Sequence, residues 1–388
     1  MPVQKDLISI YNLPMEVKYC VRCVISNQRP RISFNKDGVC SACQYAERKK
    51  KEFDWGQREK KLLILLEKYR SKDNSFDVVV PCSGGKDSAT VAHQLKSKYG
   101  MHPLTVTWSP NLYTDIGRKN LQNLIAAGFT NILGTPNGNV HRRLTRLAFE
   151  YLGDPFQPFI YGQKAFPMQI ATAYKIPLVM YGENGEVEYG GDIKNQDSPK
   201  HDLHDDLLKH YFSGLGAQYW TKFDISYKDL HIYMLPSIEL MSQIGLECHF
   251  WSYYKKWTPQ ENYYYAAEHT GFQPNPEGRS EGTYSKYASL DDRIDGFHYY
   301  MAFIKFGIGR ATSDAAHEIR DGHLNRKEAI ELVRRFDGEF PKKYFKDFLD
   351  YTHLTEREFW GIVDSFRSPH LWEKVKGDWQ LKYPIWKS

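Results

Sequence analysis

The stretch from Phe76 to Thr90 constrains the fold of this chain more than any other. It reads Phe-Asp-Val-Val-Val-Pro-Cys-Ser-Gly-Gly-Lys-Asp-Ser-Ala-Thr, an apolar run followed by a glycine turn and helix-forming residues. A buried strand that passes through such a turn into a helix surrounds a phosphate chain with main-chain N–H groups. The sequence therefore predicts a strand over 78–80, a turn at 83–85 and a helix that opens at Ser88, with a phosphate site between them.

The six residues after Cys82 carry the groups that would hold ATP. The glycines let the backbone approach a polyanion, the lysine adds positive charge and the two hydroxyls add donors. An aspartate beside phosphates would repel them unless Mg²⁺ lay between, so the metal belongs to the same inference. Lys86 and Asp87 are also predicted to be catalytic, with Asp87 a Mg²⁺ ligand. The predicted ATP-binding residues are Ser83, Gly84, Gly85, Lys86, Asp87 and Ser88.

The spacing of this loop differs from that of a Walker A loop, which has four residues between its first glycine and the Gly-Lys pair. Ser-Gly-Gly-Lys-Asp-Ser at 83–88 instead resembles the pyrophosphate loop of the PP-loop ATP pyrophosphatases. The resemblance implies an adenine-nucleotide α-hydrolase-like fold. It also implies a reaction that adenylates a substrate oxygen and releases pyrophosphate.

Composition limits the class of protein. The 388 residues are 41% hydrophobic and 26% charged, and no apolar run approaches the roughly 20 residues of a membrane helix. The N-terminus lacks a signal-peptide pattern, so we expect a cytoplasmic protein without a membrane span. The net charge of +5 is mild and its cations are scattered, so nucleic-acid binding is not indicated.

Four cysteines near the N-terminus have the spacing of a zinc ribbon. Cys20 and Cys23 form one Cys-x-x-Cys pair, and Cys40 and Cys43 form another after sixteen residues. Four thiolates complete a tetrahedron around Zn²⁺ and leave no open position, which predicts a structural role. We expect residues 31–34 to form a strand of the ribbon. Disulfides are the alternative interpretation.

Apolar runs alternate with helical patterns between residues 55 and 181, which predicts a parallel sheet with helices on both faces. Ligands of such a sheet bind at the carboxyl ends of its strands. After a helix at 55–70, the expected strands are 78–80, 104–108, 129–133 and 177–181, and the expected helices are 88–98, 116–127, 140–152 and 163–175.

From about residue 200 the pattern is mainly helical and rich in aromatic residues. Helices are expected near 259–270, 290–306, 325–336, 341–350 and 355–366. The sequence thus suggests three parts: a Cys₄ zinc-ribbon module at 1–52, an ATP-binding α/β domain at 53–200, and a mainly helical substrate-side region at 201–388.

The expected strand at 177–181 runs into a second loop that is rich in glycine and acids. Residues 182–192 read Gly-Glu-Asn-Gly-Glu-Val-Glu-Tyr-Gly-Gly-Asp, and these acids would repel one another unless a cation or basic groups neutralise them. The loop resembles the Gly-Glu-x-x-Asp-Glu-x-x-Gly-Gly loop of asparagine synthetases, and we expect it to face the first loop across ATP. By that match Glu186 would hold Mg²⁺, while Glu183 would face the reacting amide and incoming ammonia.

Lys305 and Arg310 flank a Gly-x-Gly segment at the end of an apolar helix. They are predicted to neutralise the leaving pyrophosphate, and capping of the helix C-terminus is the alternative. A further polar group is interpreted as lying on the surface or the substrate side rather than as a second metal site: His201, His204, Asp205 and Asp206.

Taken together, the four cysteines, the two loops and Lys-Phe-Gly-Ile-Gly-Arg-Ala-Thr at 305–312 resemble the N-acetyl sugar amidotransferases of bacterial surface-polysaccharide and O-antigen synthesis. The resemblance implies an AMP- and pyrophosphate-forming ligase that uses ATP, Mg²⁺ and Zn²⁺. Its substrate would be a nucleotide-linked N-acetyl sugar, whose acetamido group becomes an acetamidino group by way of an adenylated imidate.

The chain carries no recognisable glutaminase, because Met1-Pro2 excludes an N-terminal cysteine nucleophile and Cys82 and Cys248 lack a Cys-His-Glu setting. A separate glutaminase is implied, and the resemblance suggests partners similar to the two subunits of imidazole glycerol phosphate synthase. The main alternative is a zinc-containing tRNA thiolation enzyme of the PP-loop class, in which Cys82 would be chemical rather than a small buried residue. A nucleotide-sensing scaffold is a non-enzymatic alternative that leaves the acidic loop unexplained.

Overall fold

A computed structural model describes residues 3–194, 196–200, 207–211 and 213–387. The four residues His201, His204, Asp205 and Asp206 lie outside this part of the chain. The strands are β1 Val78–Pro81, β2 Pro103–Trp108, β3 Asn131–Gly134, β4 Leu178–Tyr181, β5 Glu247–Phe250, β6 Trp372–Val375 and β7 Asp378–Leu381.

The helices up to the second loop are α1 Leu7–Tyr11, α2 Ser41–Lys51, α3 Trp55–Tyr69, α4 Lys86–Ser97, α5 Asp115–Ala126, α6 Gly138–Leu152, α7 Gln157–Ala173 and α8 Gly185–Tyr189. The later helices are α9 Tyr227–Leu230, α10 Ile238–Gln243, α11 Trp251–Tyr254, α12 Pro259–Thr270, α13 Asp295–Phe306, α14 Arg310–Asp321, α15 Arg326–Phe336, α16 Phe345–Thr352 and α17 Glu356–Ser365.

The central sheet has the strand order β3-β2-β1-β4-β5, and every pairing in it is parallel. The predicted mixed α/β architecture with a parallel sheet is confirmed. The chain moves outward from β1 to β3 and then returns to the other side of β1, so the strand order reverses between β1 and β4. Ligands of open parallel sheets bind at this switch point, outside the carboxyl ends of the strands.

The pleat of β1 distributes its side chains between two cores. Val78 and Val80 pack into the cluster that contains α4 and α12, whereas Val79 packs with Met168 of α7 on the opposite face. These three valines are at most 1% exposed, as expected for a central strand that is covered on both sides. Because Val79 pairs with Val179, β1 and β4 end at the same level of the sheet.

Several elements differ from the predicted ones. The strand β5 lies beyond residue 200, so the sheet extends past the predicted boundary of the α/β part. Helix α14 and the antiparallel β6-β7 hairpin were not predicted. No strand forms at 31–34: this described segment makes a single bridge between Phe34 and Cys40, and Arg31 has a φ of +66°.

The N-terminal cysteine module shares its core with the end of the chain. Its cysteines, Val24 and Ile25 form one apolar cluster with Ala315 of α14, Val333 of α15 and Ile385. The side-chain amide of Gln4 also donates to the main-chain oxygens of 365 and 367, at 3.1 and 2.8 Å. Two parts that are far apart in sequence therefore fold as neighbours. Within the described ranges every helix is too short or too polar to cross a lipid bilayer.

Candidate functional site

The four N-terminal cysteines converge on one point. Their sulfur atoms all lie within 4.8 Å of one another, and all four side chains are buried. The Sγ atoms of Cys20 and Cys43 are 3.9 Å apart, and those of Cys23 and Cys40 are 3.7 Å apart. Four thiolates at about 2.3 Å from a tetrahedral zinc ion lie about 3.8 Å from each other, whereas a disulfide needs about 2.05 Å. The cluster therefore fits Zn²⁺, and the disulfide interpretation is excluded because all four cysteines are free.

A cavity of about 630 Å³ opens at the switch point of the sheet. Its lining includes residues 83–87 after β1 and Glu183, Gly185, Glu186 and Tyr189 after β4, so the structure brings the two predicted loops together. The opposite wall comes from the segment 285–323, and the cysteine module contributes Arg29 and Arg31. The volume lies in the range of pockets that bind small molecules and cofactors.

The first loop has the predicted order of strand, turn and helix, but helix α4 starts at Lys86, two residues before the expected Ser88. No described side chain caps the N-terminus of α4, so its first N–H groups are available to an anion. Lys86 is buried, and its ammonium group pairs with the Asp87 carboxylate. Asn262 of α12 donates to the other Asp87 oxygen at 2.9 Å.

Two residues of this loop have roles that the sequence did not indicate. Gly84 has a φ of +86°, and a Cβ there would lie 2.6 Å from the main-chain nitrogen of Leu121 in α5. The glycine is therefore required by helix packing, whatever ligand binds. The Ser88 hydroxyl donates to the Gly85 carbonyl oxygen at 3.2 Å and does not line the cavity.

The acids of the second loop have separate partners. Arg31 binds the Glu186 carboxylate with two hydrogen bonds of 2.9 and 2.7 Å, and the Asp192 N–H donates to it at 2.7 Å. Burial alone would raise the pKa of Glu186, but the Arg31 guanidinium lowers it below its usual value. Asp192 pairs with Lys209 at 3.0 Å. Basic groups of the protein therefore neutralise both of these acids.

Glu188 is also bound by the cysteine module. Its carboxylate lies 2.6 Å from the Lys49 ammonium, and the nearby His317 lies 3.7 Å away. Burial favours the neutral acid, but Lys49 and His317 lower the pKa of Glu188 to about 2. The Arg29 side chain donates to the Gly190 carbonyl oxygen at 2.8 Å. The module thus fixes the second loop at three positions.

Glu183 differs from its neighbours because it faces the cavity without a cation of its own. Apart from its own main-chain N–H, no described group donates a hydrogen bond to its carboxylate. Burial raises the pKa of Glu183, and the charge of Asp87 raises it further. Two carboxylates that approach each other beside a phosphate-type loop form a donor set that suits Mg²⁺, which binds one or two carboxylates together with phosphate oxygens. Asp87 and Glu183 therefore fit the metal better than Asp87 and Glu186.

The structure separates the two cations of the segment 305–312. Arg310 lines the cavity, where it donates to Asp314 at 3.0 Å and to the Tyr299 hydroxyl. Lys305 is buried behind the wall, where its ammonium donates to the Leu152 carbonyl oxygen at 3.1 Å. Of these two cations, Arg310 is therefore the one that lines the cavity.

Acids on this wall were not predicted as site residues. Asp291 and Asp295 line the cavity, and burial together with the Asp295 charge raises the pKa of Asp291 to about 6. His298 also lines the cavity and bonds to Asp154 at 2.8 Å. Asp291, Asp295 and His298 follow one another at intervals of three to four residues. This helical spacing was the sequence signal that could have identified them as neighbours.

A buried lysine near Glu183 was also missed. The Lys164 ammonium in α7 lies 4.4 Å from the ring centre of Tyr181 and 4.1 Å from that of Tyr211. Burial lowers the pKa of Lys164 to about 8, although Glu183 acts in the opposite direction. No sequence signal distinguishes this lysine from a surface lysine on a helix.

The two remaining cysteines are not placed for catalysis. Cys82 is buried and donates to the Ser88 hydroxyl at 3.0 Å, and burial raises the pKa of its thiol to about 11. Burial also raises the pKa of Cys248 above its usual value. A reactive thiol needs a lowered pKa.

Comparison with known families adds one finding. Residues 281–384 match the family model described as "LPS biosynthesis protein WbpG-like, C-terminal domain". The C-terminal part of this chain is similar to lipopolysaccharide biosynthesis proteins. The match supports a role in lipopolysaccharide or polysaccharide synthesis, and it covers the wall that carries Asp291, Asp295, His298 and Arg310. No curated protein matches the chain.

Proposed function

We propose that this protein is an ATP-dependent amidotransferase that converts the acetamido group of a nucleotide-linked sugar into an acetamidino group. The main support is the meeting of the 83–88 and 182–192 loops at the switch point of a parallel sheet. The similarity of residues 281–384 to lipopolysaccharide biosynthesis proteins supports a sugar substrate. The resemblance of the chain to PP-loop enzymes supports the type of reaction.

The chemistry follows from the stability of an amide. An acetamido carbonyl is a poor electrophile, so its oxygen first attacks the α-phosphorus of ATP and pyrophosphate leaves. Ammonia then adds to the imidate carbon, and AMP leaves with the oxygen. Both steps depend on holding the reactants in place and on neutralising the charge that develops.

The chain has residues for each of these tasks. The N-terminus of α4 and Lys86 would bind the phosphates, and Arg310 on the opposite wall would neutralise pyrophosphate as it leaves. Asp87 and Glu183 would hold Mg²⁺, which would compensate the phosphate charge. In this proposal Glu186 and Glu188 keep the second loop in position, because the cysteine module already binds their carboxylates.

Ammonia would come from a separate glutaminase, since neither Cys82 nor Cys248 is placed as a nucleophile. The same observations weigh against the tRNA thiolation alternative, which needs a reactive cysteine. The isolated chain should therefore use ammonium salts at raised pH, where more free ammonia is present. It should use glutamine only when a glutaminase partner is added.

The test is an incubation of the purified protein with ATP, Mg²⁺, an ammonium salt and a panel of nucleotide N-acetyl sugars. Mass spectrometry should show a product in which NH replaces one oxygen, and AMP and pyrophosphate should appear in step with it. Formation of ADP and phosphate in the coupled reaction, or an unchanged sugar across the panel, would refute the proposal.

A further inference from the structure

The cavity contains a histidine–aspartate pair that is not among the residues proposed to bind ATP. Nδ1 of His298, in helix α13, lies 2.8 Å from Oδ1 of Asp154, in the turn between α6 and α7. The Phe156 N–H donates to the same oxygen at 3.0 Å, which fixes the carboxylate. His298 lines the cavity, and Asp154 is only 7% exposed.

The charges around this pair define its protonation. Burial would raise the pKa of Asp154, but His298 and Lys305 lower it, so Asp154 is ionised and Nδ1 of His298 is the donor. No described residue binds Nε2 of His298, so this nitrogen can accept a proton from a molecule in the cavity. Burial alone would lower the pKa of His298, but the charge and hydrogen bond of Asp154 outweigh it and raise the pKa.

This arrangement is that of a general base. An ionised carboxylate that holds one ring nitrogen sets the tautomer and stabilises the imidazolium that forms when the other nitrogen accepts a proton. The charged neighbours of His298 are Asp154, Asp295 and Lys305, whereas those of Glu183 are Asp87, Lys86 and Lys164. The two groups therefore occupy different parts of one cavity.

We propose that His298 is the general base of the ammonia step, with Asp154 as its positioning residue. This inference rests on the proposed amidotransferase function. The lone pair of ammonia forms the new C–N bond at the imidate carbon while the π pair of the imidate C=N bond moves onto the sugar nitrogen, and the resulting ammonium group loses one proton to Nε2 of His298. The pair on the sugar nitrogen re-forms the C=N bond as the C–O bond breaks, and AMP departs with its oxygen to leave the amidine.

The pair also gives Lys305 a role. Lys305 lies outside the cavity lining, but its charge lowers the pKa of Asp154 and opposes the rise in the pKa of His298. It therefore keeps the carboxylate ionised while leaving more of the imidazole neutral. In this proposal Lys305 acts through Asp154 and His298.

The experiment separates the two chemical steps. Adenylation is measured as sugar-dependent exchange of labelled pyrophosphate into ATP without ammonia, and the ammonia step is measured as amidine formation. His298→Gln should keep pyrophosphate exchange within a few fold of wild type, which also shows that it folds. The same variant should form amidine about 10²- to 10⁴-fold more slowly.

Two further measurements test the role of a base. Hydroxylamine, which is largely unprotonated at neutral pH, should restore much of the turnover of His298→Gln. At a fixed concentration of free ammonia, wild-type turnover should rise with pH as His298 loses its proton. Asp154→Asn should move this rise to lower pH, because Asp154 raises the pKa of His298. A purely structural role for Asp154 would not move it.

The cavity supplies a matched control. His317 also bonds to an aspartate, Asp321, at 3.0 Å, but its Nε2 lies beside Glu188 in the contact with the cysteine module. His317→Gln should affect both steps in the same proportion. The inference is wrong if His298→Gln keeps full amidine formation or loses both steps equally. Absence of amidine with wild-type protein and every sugar would instead refute the proposed function, and the inference with it.

Discussion

The bidentate pair between Arg31 and Glu186 fastens the cysteine module to the second loop, and Arg31→Met tests its contribution. Glu186 is 10% exposed at its side chain and Arg31 is 30% exposed. Removing one partner of a fully buried pair costs about 3–5 kcal/mol, whereas an exposed pair contributes about 0–1 kcal/mol. With intermediate burial and one hydrogen bond left from Asp192, we expect Arg31→Met to cost about 2 kcal/mol.

The destabilisation caused by Arg31→Met should depend on pH, because it depends on the ionisation of the Glu186 carboxyl group. The folded protein holds the pKa of Glu186 below its usual value, so the pair stabilises the fold above the ordinary glutamate pKa of about 4.3. That stabilisation is lost as the pH falls through the lowered pKa. The difference between wild type and Arg31→Met should therefore be complete at pH 7 and should narrow in acid.

Urea unfolding followed by tryptophan fluorescence, at pH 7 and at a series of lower pH values, measures this difference. Arg22→Met is the matched control, because Arg22 lies on the same module and pairs with Glu47 on the exposed surface. Arg22→Met should change the free energy of unfolding by too little to measure. An equal effect of the two substitutions, or a difference for Arg31→Met that does not change with pH, would refute the argument.

Three other outcomes are expected. Asp87→Asn should lower turnover by orders of magnitude with an unchanged circular dichroism spectrum, because it removes a Mg²⁺ ligand; near-normal activity would exclude that role. Metal analysis should find about one zinc per chain, and Cys20→Ser should lower the melting temperature; an iron–sulfur spectrum would contradict the zinc assignment. Glu183→Gln should inactivate the enzyme yet raise its melting temperature at pH 8, because burial and Asp87 raise the pKa of Glu183 and its ionised form destabilises the fold. This gain should vanish below the ordinary glutamate pKa.

Local signals in the sequence predicted much of the fold. Apolar runs between helical patterns located β1 to β4, and the spacing of the four cysteines located their cluster. The strand β5 was missed because Glu247–Phe250 has only 4 residues, and two of its first three residues, Glu247 and His249, are polar. Its place in the sheet depends on the pairing with β4, which no local pattern encodes.

Some residues of the candidate site could likewise be predicted from local sequence, whereas others depend on contacts between distant parts of the chain. Residues 83–87 and Glu183 line one cavity because strand ends in a parallel sheet lie at one edge, and Arg310 lines the same cavity from the start of α14. The partners of Glu186 and Lys305 could not be predicted, since Arg31 and Leu152 are more than 150 residues away in the chain. The same holds for His298, whose importance depends on its distance from Asp154.

The core that the cysteine module shares with the end of the chain affects biosynthesis. A ribosome releases Cys43 about 270 residues before Ala315, which takes roughly 15 to 55 seconds at 5–20 residues per second. During this interval the four thiols lie on a nascent segment, because the apolar residues that pack around them in the folded protein, such as Ala315 and Val333, have not been synthesised. Early capture of the metal would protect these thiols from oxidation, so the yield of active protein from cells should depend on the zinc supply while translation is under way.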